Sequence, residues 1–442
     1  MTLPRVVIIG AGFAGFHAAK TLCRLAKGRA DIVMVNPTDY FLYVPLLPEV
    51  ATGILEPRRL TVSIADALPD VRLVLGEAEG LDLDRRTVQY ADPLDRRDEI
   101  EYDRLIIAAG SVNKLLPIPG VTEYAHGFRG IPEAVFLRDH LTQQIELANA
   151  TDDAAARDAL CTFVVVGAGY TGTEVAAHGV LYTELLKKRR PRLRHQRMRW
   201  MLLDIADRVL PELDERLSRT ADRVLRERGV EVMMGTSVEE AMHDGVRLTD
   251  QSDVPTHSLI WCVGVRPDPV VEALGLKTQK GRLLVDEYLN VPDHPEVFAC
   301  GDAAAVPDLT RPGEVTPMTA QHAERQGRRA AKNVAASFGT GERKPYIHKD
   351  LGFVVDLGGK QAAANPLQIP LAGLPAKAVT RGYHLMSMPG NRVRTATEWL
   401  FDATLHRQTT QLGVIPAADV PLETASPERV RPHRSGPKEE TR

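Results

Sequence analysis

The chain has 442 residues, a net charge of -3, 44% hydrophobic and 26% charged residues. That length supports two or three domains with full cores, and the near-neutral balance excludes a dedicated nucleic-acid binder. No run of ~20 apolar residues occurs, so no transmembrane helix is expected. No signal-peptide pattern precedes the first strand, which points to a cytoplasmic location, soluble or peripheral.

Strands are predicted at residues 4–10 and 32–35, with a helix from about Phe13 to Lys27 between them. The connecting loop is Gly10-Ala11-Gly12-Phe13-Ala14-Gly15. Gly10 permits a tight turn, Gly12 lets a pyrophosphate approach, and Gly15 lets helix and strand pack closely. The helix N-terminus then aims amides at the phosphates. Asn36 ends the second strand, where an acid usually binds the adenosine ribose. Its amide can hydrogen-bond hydroxyls without charge assistance, and Asp39 is an alternative acceptor. The apolar, proline-braced stretch Tyr40 to Gly53, with Pro45 and Leu46, suits a loop lying along a flavin ring. A strand at Leu105–Ala108 leads into Ala109-Gly110. Pro117, Pro119 and Gly120 mark a break, and a polar helical stretch runs from Glu133 to Asp158.

The pattern then repeats. A buried strand from Thr162 leads into Gly167-Ala168-Gly169-Tyr170-Thr171-Gly172. A single such loop also fits an ordinary strand end. Two of them, each between strand and helix, imply two dinucleotides, FAD and NAD(H), and hydride transfer between nicotinamide and flavin. Asp204, ending the strand Trp200–Asp204, suits a ribose 2'-OH and repels a 2'-phosphate, which favours NADH over NADPH; Arg208 nearby argues the other way. The basic run Lys187 to Arg199 reads as a solvated helix end and loop, or as an anionic-lipid contact. Gly264 supplies a further glycine turn. The strand Glu296–Ala299 ends in Cys300-Gly301-Asp302, where the Asp302 carboxylate suits ribityl hydroxyls.

The expected fold class is α/β. Two Rossmann-like three-layer dinucleotide-binding domains, one inserted in the other, precede a C-terminal α+β membrane-association region. Residues 1–130 and 280–344 form the FAD-binding domain, 131–279 the NADH-binding domain and 345–420 the C-terminal region. Residues 421–442, rich in Pro, Arg, Glu and Ser, are expected to be disordered. The four cysteines, Cys23, Cys161, Cys262 and Cys300, form no close pair. They read as reduced, mostly buried thiols, with Cys161 as a lone redox thiol the alternative. No metal site is expected.

Together these segments resemble type II NADH dehydrogenases, the single-subunit NADH:quinone oxidoreductases, from about residue 4 to 415. The selective piece is Thr316 to Gln326, which looks like the family's Ala-Gln-x-Ala segment. The resemblance implies that NADH reduces FAD and that two electrons then pass to a membrane quinone, menaquinone or ubiquinone, without proton pumping. It places Ala320 and Gln321 at the quinone pocket, Glu174 beside flavin and nicotinamide, and Lys377 and Arg381 at the quinone entrance. Gln321 can donate and accept at a quinone carbonyl without adding charge. Glu174 can relay protons if burial raises its pKa; a dipole-favoured acid at the helix start is the other reading. His322 reads as a proton shuttle or as a packed helical histidine. Val393, Ala396, Thr397, Leu400, Phe401 and Leu405 recur at helical spacing, amid Lys377, Arg381, Arg392, Arg394 and Arg407. Such a helix suits a membrane interface, or a dimer or domain contact. The resemblance also implies a homodimer, bound peripherally on the cytoplasmic side of the cell membrane.

Asn36, His178 and the basic run depart from the family pattern. Three other readings remain open. A reductase of a small iron-sulfur protein should lack the amphipathic C-terminal segment. A sulfide:quinone oxidoreductase needs paired redox cysteines. An NADH-sensing flavoprotein would change assembly rather than turn over.

Overall fold

The computed structural model describes residues 3–348 and 351–422. The segment 423–442, most of the expected tail, lies outside the described residues. Two parallel sheets organise the chain. The first has the order Asn290–Val291, His294–Ala299, Arg104–Ile107, Arg5–Ile9, Asp31–Asn36, Val71–Leu75. Its strands pair in parallel, with Ile8 opposite both Met34 and Ile106, except for the antiparallel edge at Asn290–Val291. The second runs Ala125–Gly127, Leu259–Trp261, Thr162–Val166, Arg199–Asp204, Val230–Met234, all parallel. Strand His294–Ala299 thus returns to the first sheet after the whole second sheet has been made.

The central strands form because they are continuous apolar runs, the pattern of strands covered on both faces. Val6, Val7, Ile8, Phe163, Val164 and Val165 are fully buried. In each sheet the glycine-loop strand lies between two strands that both come later in the chain, so the chain leaves it toward one side and returns on the other. This switch point opens a crevice beyond the strand ends. Helices Phe13–Ala26 and Ala320–Ser337 pack so closely that a Cβ on Gly327 would collide with the Ala14 carbonyl.

The polar stretch 133–158 is two helices, Ile131–Ala150 and Ala154–Leu160. The break falls at Asp153, whose carboxylate accepts from the amides of Ala155 and Ala156 and caps a new helix. The C-terminal region begins with a small antiparallel sheet, Val354–Asp356, Ala362–Ala364 and Leu371–Ala372. Helices Gly373–Ser387 and Arg392–Thr404 follow. No helix among the described residues is long and apolar enough to cross a membrane.

The basic run is partly neutralised. Arg190 pairs with Glu146, Arg192 with Asp152, Lys187 with Glu184, and both Arg197 and Arg199 with Glu231. Lys188, Arg189 and Arg194 are exposed and make no ion pair among the described residues, so the run keeps a net positive charge at the surface.

Candidate functional site

One cavity of about 1550 Å3 lies beyond the strand ends of both sheets, and both glycine loops open onto it. It exceeds the roughly 300–1,000 Å3 of an ordinary small-ligand pocket. Gly10 (φ +92°) and Gly167 (φ +104°) hold left-handed backbone that a side chain would strain. A Cβ on Gly15 would strike the Gly10 carbonyl, and one on Gly172 the Gly167 carbonyl. At Gly12 and Gly169 a Cβ would meet nothing, so the backbone there faces open space. Neither following helix has a side-chain cap at its start. Its first amides therefore remain available to an anion. This donor set fits two pyrophosphates, one on each loop.

Asn36 and Asp204 occupy matching positions, and both line the cavity. Asn36 Oδ1 accepts from the Ala11 amide at 2.8 Å, and Asp204 Oδ2 from the Ala168 amide at 2.6 Å. The residue missing a charge in the first unit thus keeps the loop-bracing bond of the second. Its Nδ2 is used internally, on Thr38. Asp39 is exposed and does not reach the cavity wall. Arg208 is turned away, donating to the Pro211 carbonyl at 2.8 Å.

Pro45, Ala109, Gly110, Gly264, Gly301 and Asp302 also line the cavity, whereas Leu46, Gly15 and Gly172 pack behind it. Ser111 Oγ donates to Asp302 Oδ2 at 2.6 Å. The Gly301 amide donates to Gln326 Oε1 at 2.8 Å, and Gln326 Nε2 donates to Thr316 Oγ1 at 2.9 Å. Gln326 is fully buried and fixes the Gly301 turn. Sequence reasoning passed over it because a helical glutamine carries no signal of burial.

Ala320, Gln321 and Glu174 reach the same cavity. Gln321 sits in the first turn of Ala320–Ser337, where its Nε2 donates to the Gly352 carbonyl at 2.9 Å. Glu174 Oε1 accepts from the Asp356 amide at 2.7 Å. Burial raises the Glu174 pKa well above the usual carboxylate range, opposed by that hydrogen bond and assisted by the charges of Asp356 and Glu49.

Lys377 and Arg381 do not line this cavity; Tyr383 and His384 of the same helix do. Lys377 is buried, with Nζ 2.6 Å from Asp356 Oδ1. Arg381 lies 3.8 Å from the buried Glu49 and stacks over the Trp399 ring at 4.4 Å. The helix turns its basic residues toward interior acids that the sequence did not single out. Asp356 stands in a short strand and Glu49 in the proline-braced loop, and only folding brings them together.

His322 is packed, with Nδ1 2.9 Å from the Tyr346 hydroxyl and its ring stacked on His348 at 4.0 Å. Burial lowers its pKa to about 4. No disulfide joins the cysteines. Burial raises Cys23 to about 11 and Cys161 and Cys300 to about 12, so few thiolates exist at neutral pH. Iodoacetamide treatment of the native holoprotein is therefore expected to leave NADH-driven flavin reduction unchanged. A rapid loss would reveal a reactive thiol in the electron path.

The family model for pyridine nucleotide-disulphide oxidoreductases matches residues 4–327. The type II NADH:quinone oxidoreductase NdhA of Mycobacterium tuberculosis is 32% identical, over 89% of this chain and 85% of that protein. An internal alternative NAD(P)H-ubiquinone oxidoreductase A1 of Arabidopsis thaliana is 30% identical, over 90% and 83%. The solved structure of NDH2 from Plasmodium falciparum in complex with NADH superposes with a TM-score of 0.84 at 17% identity, covering 92% of this chain and 100% of that one, which shows a shared fold. With two phosphate cradles opening on one cavity and no cysteine pair, the chain belongs to the pyridine nucleotide-disulphide oxidoreductases and, among them, to the type II NADH:quinone oxidoreductases.

Proposed function

We propose that the chain oxidises NADH and reduces a quinone within the one cavity, with Gln321 orienting the quinone and Glu174 supplying a proton. A bound FAD would accept hydride from NADH and release two electrons to the quinone. The first loop would hold the FAD pyrophosphate, Asp302 its ribityl hydroxyls, and Pro45, Ala109 and Gly110 the walls around it. The second loop would hold NADH, with Asp204 on the ribose and Gly264 closing the site. The observation that carries this reading is that Gln321 and Glu174 face the same cavity as both loops. Gln321→Ala is expected to slow quinone-driven flavin reoxidation by about 10- to 100-fold while NADH-driven reduction stays near wild type. Equal loss in both half-reactions would remove Gln321 from the quinone role.

The C-terminal helix supports a membrane contact. Val393 (80%), Leu400 (59%), Phe401 (52%) and Leu405 (64%) are exposed, while Thr395 and Trp399 face inward. Of the basic side chains around it, Lys377, Arg381 and Arg407 are engaged with Asp356, Glu49 and Asp402. Arg392 and Arg394 are exposed and make no ion pair among the described residues, so attachment would combine the apolar face with basic charge, peripherally and on the cytoplasmic side, by a chain that dimerises as its family resemblance implies. Leu400→Glu with Phe401→Glu is expected to release the protein from liposomes, with added salt weakening but not abolishing wild-type binding. Unchanged flotation, or a monomer replacing a dimer, would assign the face to protein contact instead.

A further inference from the structure

Reduction of a quinone by NADH needs one proton beyond the hydride: NADH + quinone + H+ gives NAD+ + quinol. This inference rests on the quinone reading above and concerns where that proton waits. Behind Glu174, five elements meet: the loop helix Leu47–Val50, helix Tyr170–Lys188, strand Val354–Asp356 and the two C-terminal helices. They enclose Glu49 (2% exposed), His178 (2%), Asp356 (6%) and Lys377 (7%).

Asp356 is the hub. Its carboxylate pairs with Lys377, its Oδ1 lies 3.3 Å from His178 Nε2, and its amide donates to Glu174. Glu49 is compensated less well. Its Oε2 accepts from Trp399 Nε1 at 2.5 Å, but its Oε1 has no hydrogen-bond partner. Its nearest cation, Arg381, is 3.8 Å away, partly exposed and stacked on Trp399. Arg228, bonded to the Gly358 carbonyl at 2.9 Å, and the neutral His384, bonded to the Tyr43 hydroxyl at 3.0 Å with its pKa lowered by burial to about 4, complete the titratable surroundings.

Three carboxyls therefore share an interior in which Asp356 takes up Lys377, Glu49 has only the looser pair with Arg381, and Glu174 makes no ion pair among the described residues. Ionising all three is unfavourable, so protons are retained on the two carboxyls that lack a close full ion pair, Glu174 and Glu49. Burial, reinforced by the Asp356 charge, raises Glu49. At Asp356 burial is outweighed by His178 and Lys377, which hold its carboxyl far below the usual range.

We propose that Glu49 is the store for the second proton of quinone reduction, held in a cluster with His178, Asp356 and Lys377 that refills Glu174 after each turnover. Glu49 becomes a carboxylate as Glu174 regains its proton, and solvent then reprotonates Glu49. His178, a departure from the family pattern, would tune the store through Asp356.

The test reads the proton directly. In the oxidised holoprotein without quinone, the infrared C=O stretch of a protonated carboxyl is followed across about pH 6 to 9. The band is expected at neutral pH, to shift on 13C labelling of glutamate carboxyls, and to diminish in Glu49→Gln. In the same variant, quinone-driven reoxidation should begin to fall at a pH about one unit lower than in wild type, with NADH-driven reduction unchanged. Absence of a glutamic-acid band in the labelled wild type overturns the store even if quinone reduction is fast. A band present without any reoxidation by quinone refutes the quinone reading, and the proposed delivery falls with it.

Discussion

Replacing Gly15 by valine is expected to give a colourless protein, and replacing Gly172 by valine a yellow protein that NADH no longer reduces. The two glycines do the same work in different units. Each lets a helix approach the turn that starts its own loop, and in each case a Cβ would collide with the carbonyl of the first loop glycine. Helix and loop must then separate, and the amides no longer converge on a phosphate. The strands beneath belong to different sheets, so damage to one loop should spare the other cofactor. Flavin absorbance of the purified variants reads the first effect. Anaerobic NADH reduction reads the second, with a loss of at least about 100-fold expected, since misplaced reactants forfeit the advantage of proximity. Loss of flavin from both variants would mean that the loops do not serve separate dinucleotides.

The second large effect is on stability. Asp356→Ala leaves the buried Lys377 ammonium without its partner, and removing one side of a buried ion pair destabilises by about 3–5 kcal/mol. Adding Lys377→Met removes the orphaned charge and should recover most of that loss. Urea unfolding of both variants measures the difference; a double variant no more stable than the single one would show that the pair's charges are not the reason for the loss. The pH dependence has a definite sign. The Asp356 carboxyl is held below the ordinary range, so its stabilising contribution is present above the unfolded-state pKa. It fades as pH falls toward the folded-state value.

The sequence made legible what is local and repeated. Val6 to Ile9 and Phe163 to Val166 read as covered strands because no polar residue interrupts them, and each glycine loop lies where strand gives way to helix. The outward apolar face from Val393 to Leu405 was legible from its helical spacing. What stayed hidden depends on distant contacts. Glu49 meets Trp399 and Arg381 across most of the chain, and Asp356 meets Glu174 and His178 from another unit. Glu49 lies in an apolar stretch, but nothing near it or Asp356 names the partners each meets. Lys377 and Arg381 looked like surface charge because their partners lie far away in sequence. The antiparallel strands from Glu77 to Glu101 carry many charged side chains and show no continuous apolar run. Asp153 marks a helix start only once its carboxylate is seen on the following amides.

The central claim is that one cavity brings NADH, through a bound flavin, to a quinone. Anaerobic stopped flow tests it most directly. The yellow holoprotein is reduced with one equivalent of NADH, mixed with a menaquinone or ubiquinone analogue, and followed by flavin absorbance. Rapid and complete reoxidation, with one quinol formed per NADH consumed, is predicted. Rapid reduction followed by no reoxidation with either quinone would contradict the account and leave a flavoprotein whose acceptor is a protein or whose reduced state is itself the signal.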